Sequence, residues 1–385
     1  MQIVDDDRMR IPSLREIDPT RMALAFRGYN VTNLGRTREL LVDARYAGIL
    51  SEELEYASRL ATGFLEQPVD LVSVVREGID LSETRYGEAV AFILAVEFAH
   101  YRFLREQCGV ATEKCRLAFG YSLGEIAALV CGGLLPKESS YELPLCVAKD
   151  CHALMANARL AIIFSKQNTI PSLAIEQICL DISRETGETI AVSSQLSPNT
   201  LLVIGQGESP KELARRIKDL RLEGVVVRAK DNRFPPLHTP IMWQRHITDR
   251  VSLMLQKVKF ADQPPSPPIF SMASGKVAYT PYNARENLRL WMDHPQRLWD
   301  AIDFTLSHSV EAVIHIGPDP NLIPSTYKRL CENITAQFQT NMGLRALSYA
   351  VERPWLQAIM PQQAFLLRAP SMRQVILEDV LLQVN

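Results

Sequence analysis

A five-residue segment with a serine between two glycines constrains the fold of this chain more than any other feature. The segment is Gly120-Tyr121-Ser122-Leu123-Gly124. Residues 116–120 have the composition of a buried strand, and residues 122–130 have that of a helix. A sharp strand-to-helix turn exposes the serine hydroxyl, and the helix N-terminus directs N–H groups at an attacked carbonyl. The pattern predicts a nucleophilic serine on an α/β fold, the alternative being an ordinary turn with a small residue.

Length and charge exclude several classes of protein. The 385 residues suggest two to three domains, or one large domain with an insert. A net charge of −2 argues against a protein that coats nucleic acid. No apolar run is long enough to span a membrane, and the N-terminal residues do not resemble a signal peptide. The seven cysteines form no C-x-x-C pair, so we expect a cytoplasmic protein with no disulfide framework and no metal site.

The pattern of elements predicts an inserted second domain. Residues 22–26 and 312–316 are predicted core strands, and residues 88–107 a buried helix packed on the sheet. Between them, about 70 residues carry a small α+β pattern of two helices and three strands at residues 171–179, 189–193, 200–204, 209–220 and 224–228. We therefore predict a large domain of residues 1–156 and 234–385, with a small domain of residues 157–233 inserted.

The two ends of the chain have weaker secondary-structure patterns than the segments between them. The first twenty residues are polar and are predicted to form a loosely held arm. The tail beyond Tyr349 holds apolar residues and three prolines, and the sequence offers it no obvious partner in the core.

A serine nucleophile needs a base, and histidine is scarce. His238 lies on a proline-stiffened loop that leads into a helix, between Pro235-Pro236 and Pro240. On the residues alone, His238 is either this base or a packed histidine. The remaining six lie in helices, beside a helix or inside a core strand, and we expect packing, capping or solvated roles for His100, His152, His246, His294, His308 and His315.

Six segments together resemble one family. Residues 120–133 resemble the G-H-S-L-G-E-x-x-A-L-V signature of malonyl-CoA:acyl carrier protein transacylases and polyketide synthase acyltransferase domains. Residues 237–242 resemble the family's F-H-S/T-P-L-M segment, which carries its catalytic histidine. The other four segments, in family order and at family spacing, are residues 23–28, 195–205, 294–302 and 314–318.

The resemblance implies a fold and a set of roles. The fold would be an α/β-hydrolase-like large domain with a mostly parallel sheet and an inserted ferredoxin-like subdomain. Ser122 would be the nucleophile and His238 its base, oriented by a backbone carbonyl near residue 291 or 292. The N–H groups of Leu123 and Tyr29 would form the oxyanion hole, next to Gly28 in the substrate site. The substrates would be thioesters of CoA or of the phosphopantetheine arm of an acyl carrier protein, with no bound cofactor.

The chain departs from the family pattern around the acyl group. Tyr121 replaces the histidine of G-H-S, and the glutamine usually found before the long helix is replaced near Val90. The arginine that pairs with the malonyl carboxylate would fall at Val147, or at Lys149 after a two-residue insertion. Lysine cannot form the bidentate fork that arginine forms with a carboxylate. The glycine-rich loop and the tetrapeptide that ends at His238 also differ.

These departures leave several functions open. We expect an acyltransferase of polyketide or fatty-acid biosynthesis that acts through an acyl-serine and prefers an acyl group without a free carboxylate. The partners would be an acyl carrier protein and acyl-CoA, with neither nucleic acid nor membrane. The alternatives are a malonyl enzyme with compensating changes, an acyl-carrier-protein thioesterase of the same fold, and a non-catalytic scaffold that binds a carrier protein.

Overall fold

The large sheet has four parallel strands. A computed structural model of the chain describes residues 14, 17–81, 83–220, 224–338 and 354–383. The strands are β1 (Met22–Phe26), β2 (Leu117–Gly120), β10 (Ala312–Ile316) and β11 (Arg373–Ile376), in the order β11-β10-β1-β2. Parallel register pairs Met22 with Ala312 and Phe26 with Gly120. The predicted α/β fold with a mostly parallel sheet is therefore confirmed.

The inner position of β1 in the large sheet explains why its sequence is continuously apolar. All five residues of β1 are buried. Leu24 and Phe26 face one hydrophobic core, whereas Ala23 and Ala25 face the other. A parallel sheet covered on both faces needs apolar residues at every position rather than at alternate ones.

A second sheet of five strands forms the small subdomain. The antiparallel strands are β3 (Ala158–Ser165), β4 (Ile190–Ser197), β5 (Thr200–Gln206) and β6 (Val225–Arg233). The short strand β9 (Gln296–Arg297), which lies outside the predicted insert, pairs in parallel with β4. The four longer strands all fall within residues 157–233, and those domain limits stay a prediction. Strand β3 is absent from the sequence-based assignment.

The two remaining strands form a short hairpin, β7 (Phe270–Ser271) and β8 (Lys276–Val277).

Helices cover both sheets. In the described part of the chain the α-helices are α1 (Thr37–Val42), α2 (Ala47–Leu65), α3 (Leu71–Glu77), α4 (Tyr86–Arg102), α5 (Leu123–Cys131), α6 (Lys137–Leu145), α7 (Ala148–Met155), α8 (Ser172–Thr186), α9 (Ser209–Asp219), α10 (Ile247–Lys257), α11 (Ala284–Asp293), α12 (Leu298–Ser307), α13 (Leu322–Phe338), α14 (Pro354–Ile359) and α15 (Leu377–Gln383).

Two of these helices position the site. Helix α4 is buried along almost its whole length, as its apolar sequence predicts, and is continued by a π-helix, Phe103–Gln107. Helix α5 begins directly after β2 and packs against α4. Helices α8 and α9 cover one face of the small sheet, so its other face lies towards the large domain.

The C-terminal tail is part of the core, which contradicts the sequence-based prediction. Trp355 and Leu366 are buried in the hydrophobic core beneath α12 and α13. Strand β11 continues the large sheet, and Glu378 on α15 accepts hydrogen bonds from the backbone N–H groups of Arg36 and Asp319. The prediction failed because the partners of the tail are distant in the chain: Glu378 lies 59 residues from Asp319 and 342 residues from Arg36.

The beginning of the chain is only partly described. Leu14 and Ile17 are buried in the core, while most of the predicted loose arm lies outside the described residues. Across the described ranges, none of the helices has the length and apolar character needed to cross a membrane.

Candidate active site

The serine segment forms a tight elbow between β2 and α5. Ser122 has a φ angle of 55°, a strained value for a residue with a side chain. A Cβ on Gly120 would lie 2.0 Å from the carbonyl carbon of Gly124, and a Cβ on Gly124 would lie 2.3 Å from the Phe26 oxygen. Only glycine fits at both positions, so the elbow can fold back against β1 and present its serine.

Ser122 and His238 meet across 116 residues of sequence. The Ser122 Oγ lies 2.7 Å from Nε2 of His238. The Nδ1 of His238 lies 2.6 Å from the backbone oxygen of Trp291, and the His238 N–H donates to the oxygen of Met292 at 2.8 Å. A carbonyl can only accept, so Nδ1 carries the proton and Nε2 is free to accept from the serine.

The environment keeps His238 neutral. His238 is buried, and this burial lowers its pKa to about 4. The hydrogen bond to Trp291 and the negative charge of Asp293 act in the opposite direction and are weaker. A neutral imidazole at physiological pH can accept the serine proton without first losing one of its own.

Two further side chains hold the elbow, and the sequence did not reveal either. The indole Nε1 of Trp291 donates to the backbone oxygen of Ser122 at 2.8 Å. The side-chain oxygen of Gln296 accepts the Ser122 N–H at 3.1 Å. Because Trp291 also orients His238, one residue links nucleophile and base. No local motif marks contacts that span more than 160 residues.

Two backbone N–H groups next to Ser122 are available to an oxyanion. In the described part of the structure, neither the Leu123 N–H nor the Tyr29 N–H donates to a protein group. Gly28 brings the second donor close, because a Cβ there would lie 2.6 Å from the Tyr121 oxygen and 3.3 Å from the Ser122 Cβ. The arrangement matches the oxyanion hole that the family resemblance predicts. That these two N–H groups stabilise an oxyanion stays a prediction.

Buried polar side chains fix the loop that carries Tyr29. Arg27 is fully buried, and its guanidinium donates to the oxygens of Gly28 and Pro318 at 2.8 and 2.5 Å. It also donates to Oδ1 of Asn33 at 2.9 Å. The same Asn33 oxygen accepts the N–H of Asn30 at 3.1 Å. These hydrogen bonds fix the backbone on both sides of Tyr29.

Two small hollows flank Ser122. The Val147 hollow has an open volume of about 10 Å³, and its walls include Tyr29, Tyr86, Val90, Pro144 and Val147. None of the residues that line it is charged.

The Leu160 hollow lies on the other side of Ser122. It has an open volume of about 20 Å³ and is lined by His238, Tyr121, Phe234 and residues of the small sheet, among them Leu160 and Leu202. Each hollow has room for about one water molecule.

The structure separates the two candidates for a carboxylate partner. Val147 is buried in the wall of the Val147 hollow. Lys149 lies outside both hollows: its side chain is 63% exposed and its Nζ contacts Glu66 Oε2 at 2.6 Å. Helix α7 turns that side chain towards the surface, and a contact between Lys149 and the acyl group stays a prediction. Tyr121 lies in the Leu160 hollow, on the side of His238.

The remaining histidines stay away from Ser122. His100 and His315 are buried, with pKa values lowered by burial to about 3 and about 4. The side chain of His246 is exposed beside Asp249. No group of three or more histidine, cysteine, aspartate or glutamate residues with metal-binding geometry occurs within the described ranges.

Comparison with known proteins points to one class. No family model matches the chain. The malonyl CoA-acyl carrier protein transacylase of Bacillus subtilis is 25% identical over 310 residues, 76% of this chain and 71% of the relative. FabD from Acinetobacter baumannii superposes with a TM-score of 0.66 at 17% identity, over 80% of this chain and 91% of that one.

A second solved structure covers more of the chain. The acyltransferase domain from module 8 of the salinomycin polyketide synthase superposes with a TM-score of 0.66 at 18% identity, over 94% of this chain and 72% of that one. The fold and the elbow thus define an α/β protein of the acyltransferase fold. Within that class the chain is similar in sequence to malonyl CoA-acyl carrier protein transacylases and similar in fold to a polyketide synthase acyltransferase domain, which confirms the resemblance seen in the sequence.

Proposed function

We propose that this protein is an acyltransferase that moves an acyl group from a CoA or carrier-protein thioester, through an acyl ester of Ser122, to an acyl carrier protein. One observation carries the proposal: Ser122 Oγ, His238 and the Trp291 carbonyl form a continuous hydrogen-bonded series in a buried site. A scaffold that only binds a carrier protein would gain nothing from this series. The names of the similar proteins, a carrier-protein transacylase and a polyketide synthase acyltransferase domain, support a role in fatty-acid or polyketide synthesis.

The geometry supports a two-stage reaction. His238 Nε2 takes the Ser122 proton as Oγ bonds to the thioester carbon, and the imidazolium then protonates the departing thiolate as the C–S bond breaks. In the second stage, Nε2 takes the proton of an acceptor thiol as its sulfur bonds to the ester carbon, and the imidazolium returns that proton to Oγ as the C–O bond breaks and Ser122 is released. Each stage passes through an oxyanion that the N–H groups of Leu123 and Tyr29 can stabilise.

The site requires nothing beyond its thioester substrates. The leaving and attacking thiols belong to CoA or to the phosphopantetheine arm of a carrier protein, so no resident cofactor or metal takes part in these steps. We infer the carrier protein as partner from the names of the relatives, which are carrier-protein transacylases.

The lining of the Val147 hollow favours an uncharged acyl group. A malonyl carboxylate placed there would lose its water and find no cation, since no charged residue lines the hollow. Acetyl and other short uncharged acyl groups have no charge to desolvate, so they lose little free energy in a hollow with apolar walls. We therefore expect acetyl to load Ser122 faster than malonyl.

Intact mass spectrometry tests the proposal. The protein is incubated with acetyl, propionyl, hexanoyl and malonyl thioesters, and the acyl adduct is followed in time. Ser122→Ala should prevent the adduct, and His238→Ala should slow its formation by about 10²–10⁴. His246→Ala, which changes an exposed histidine, is the matched control and should leave the rate unchanged. An adduct on Ser122→Ala would remove the nucleophile assignment.

The fate of the adduct separates transfer from hydrolysis. A transferase adduct should persist in buffer and disappear when an acyl carrier protein with its phosphopantetheine arm is added. An adduct that decays in buffer as fast as with the carrier protein would identify a thioesterase instead.

A further inference from the structure

One residue is shared by the walls of the candidate site and of a larger cleft beside it. Tyr86 lines the Val147 hollow, and it also lines a cleft of about 190 Å³ that opens to the surface. We call this space the Lys149 cleft; its lining includes Leu65, Gly87, Ala148 and Lys149. Val147 and its chain neighbour Ala148 lie on opposite sides of the same wall.

The Tyr86 ring is held firmly in this wall. Tyr86 is the first residue of α4 and is buried. Its ring packs edge-on against that of Tyr29 with 5.0 Å between centroids. A Cβ on Gly87 would lie 2.6 Å from Leu65 and 3.4 Å from Ala148, so Gly87 packs closely against two residues that line the Lys149 cleft.

The direction of the acyl chain follows from the position of the base. His238 must protonate the departing thiolate, and His238 lines the Leu160 hollow but not the Val147 hollow. The thiol arm therefore lies on the Leu160 side. The rest of the acyl group must extend to the opposite side of Ser122, into the Val147 hollow and towards Tyr86.

The Lys149 cleft suits an uncharged chain. Leu65, Gly87 and Ala148 are the small or apolar residues of its lining, which also includes the polar Gln67, Thr84 and His152. The charged groups at its rim already have partners, since Arg85 pairs with Glu88 and Lys149 with Glu66. A methylene chain in the cleft would therefore separate no charge from its partner.

We propose that Tyr86 sets the upper limit on acyl-chain length, and that the Lys149 cleft would hold a longer chain once the ring is removed. This inference rests on the proposed function and narrows its substrate class to short, uncharged acyl groups. The Val147 hollow has room for about a methyl-sized group, so further methylenes would collide with the ring.

A series of straight-chain thioesters from acetyl to octanoyl tests the proposal. The wild-type protein should acquire acetyl at least tenfold faster than hexanoyl, a difference within the range that pocket shape provides. Tyr86→Ala should raise the hexanoyl-to-acetyl ratio at least tenfold, whereas Tyr86→Phe, which keeps the ring, should retain the wild-type order. Tyr86→Leu is a milder variant in case Tyr86→Ala does not fold.

A double variant distinguishes an opened passage from a loosened site. Adding Ala148→Leu to Tyr86→Ala should refill the cleft and restore the preference for acetyl. Equal loading of all chain lengths by the wild type would overturn the proposal, and so would an unchanged order in folded Tyr86→Ala or Tyr86→Leu. If no thioester acylates the wild type, the proposed function itself fails; if short and long chains load equally, only the length limit fails.

Discussion

Both of the residues proposed to react have backbone angles that residues with side chains rarely adopt. The φ angles of Ser122 and His238 are 55° and 65°. Such angles cost about 1–3 kcal/mol each and persist only where the surroundings enforce them. Here the enforcement is visible: Gln296 and Trp291 bind the backbone of Ser122, and Met292 accepts the N–H of His238. These hydrogen bonds hold the two side chains at hydrogen-bond distance before a substrate arrives.

The buried state of His238 predicts an unusual pH profile. Its pKa of about 4 means that the imidazole is already a base at pH 5, well below the ordinary histidine value. The acylation rate constant should therefore be nearly constant from pH 6 to 8 and fall only as the pH approaches 4. Rapid-quench mass spectrometry with acetyl thioester measures this profile. Half-maximal acylation near pH 6.5 would contradict it.

A cation placed in the Val147 hollow should change the charge preference. Val147→Arg would supply the carboxylate fork, and we expect the malonyl-to-acetyl loading ratio to rise by about 1–3 kcal/mol, as for a hydrogen bond to a charged group. Lys149→Arg is the matched control, because that side chain is exposed and paired with Glu66. Competition between the two thioesters measures the ratio. An equal response in both variants would mean that Val147 has no special place.

At the scale of elements, the loop after β1 depends on one asparagine. Asn33→Ala removes the acceptor shared by the Arg27 guanidinium and the Asn30 N–H. The Tyr29 N–H should then lose its fixed position, and the acylation rate constant should fall about 10- to 100-fold, with a smaller change in substrate binding. Single-turnover kinetics separate the two quantities. A lost rate together with lost cooperative unfolding would indicate general damage instead.

The sequence predicted elements with strong local patterns and missed those defined by distant partners. Strand β1, strand β2 and the start of α5 lie where the apolar runs and the glycines put them. Strand β3 was missed because it lacks a clean alternation of apolar and polar residues: Leu160, Ile162 and Phe164 face the large domain while Ala161 and Ile163 fill the small core.

The residues of the site divide in the same way, into those that a sequence motif marks and those that only the structure reveals. Ser122 and His238 carry recognisable motifs, so both could be named from the sequence. Gln296 and the Trp291 indole carry none, because a hydrogen bond to the elbow from 169 or more residues away leaves no periodicity. The exposed position of the Lys149 side chain could not be predicted, because counting residues does not show which face of a helix a residue occupies.

At the scale of the whole molecule, a buried carboxyl couples stability to pH. Burial raises the pKa of Glu125 to about 8, although Tyr279 and the Met272 N–H bind it. The folded protein therefore keeps a proton that the unfolded chain releases above pH 4.5. The resulting stability is complete below that pH and is lost as the pH rises through 8.

Glu125→Gln should reduce this loss. The buried histidines make the free energy of unfolding rise with pH, but only below about pH 6.5. Between pH 6.5 and 8, the pH dependence of the free energy of unfolding therefore reports on the buried carboxyls. Glu378, whose pKa is raised to about 7, contributes in the lower half of that interval. The free energy of unfolding should decrease with pH there, and Glu125→Gln should reduce the slope by about 1 kcal/mol per pH unit. Denaturant titrations at three pH values measure both slopes, and identical slopes would contradict the expectation.

The order of strands in the large sheet also affects how the chain folds during its synthesis on the ribosome. Strand β1 pairs with β2 early, but its other neighbour, β10, is made about 290 residues later. At about 5–20 residues per second, that delay is roughly 15–60 seconds. During this time the edge of β1 can pair with a strand of another chain. Nascent chains should therefore need a chaperone until β10 emerges, and slow translation of the middle of the message should increase aggregation.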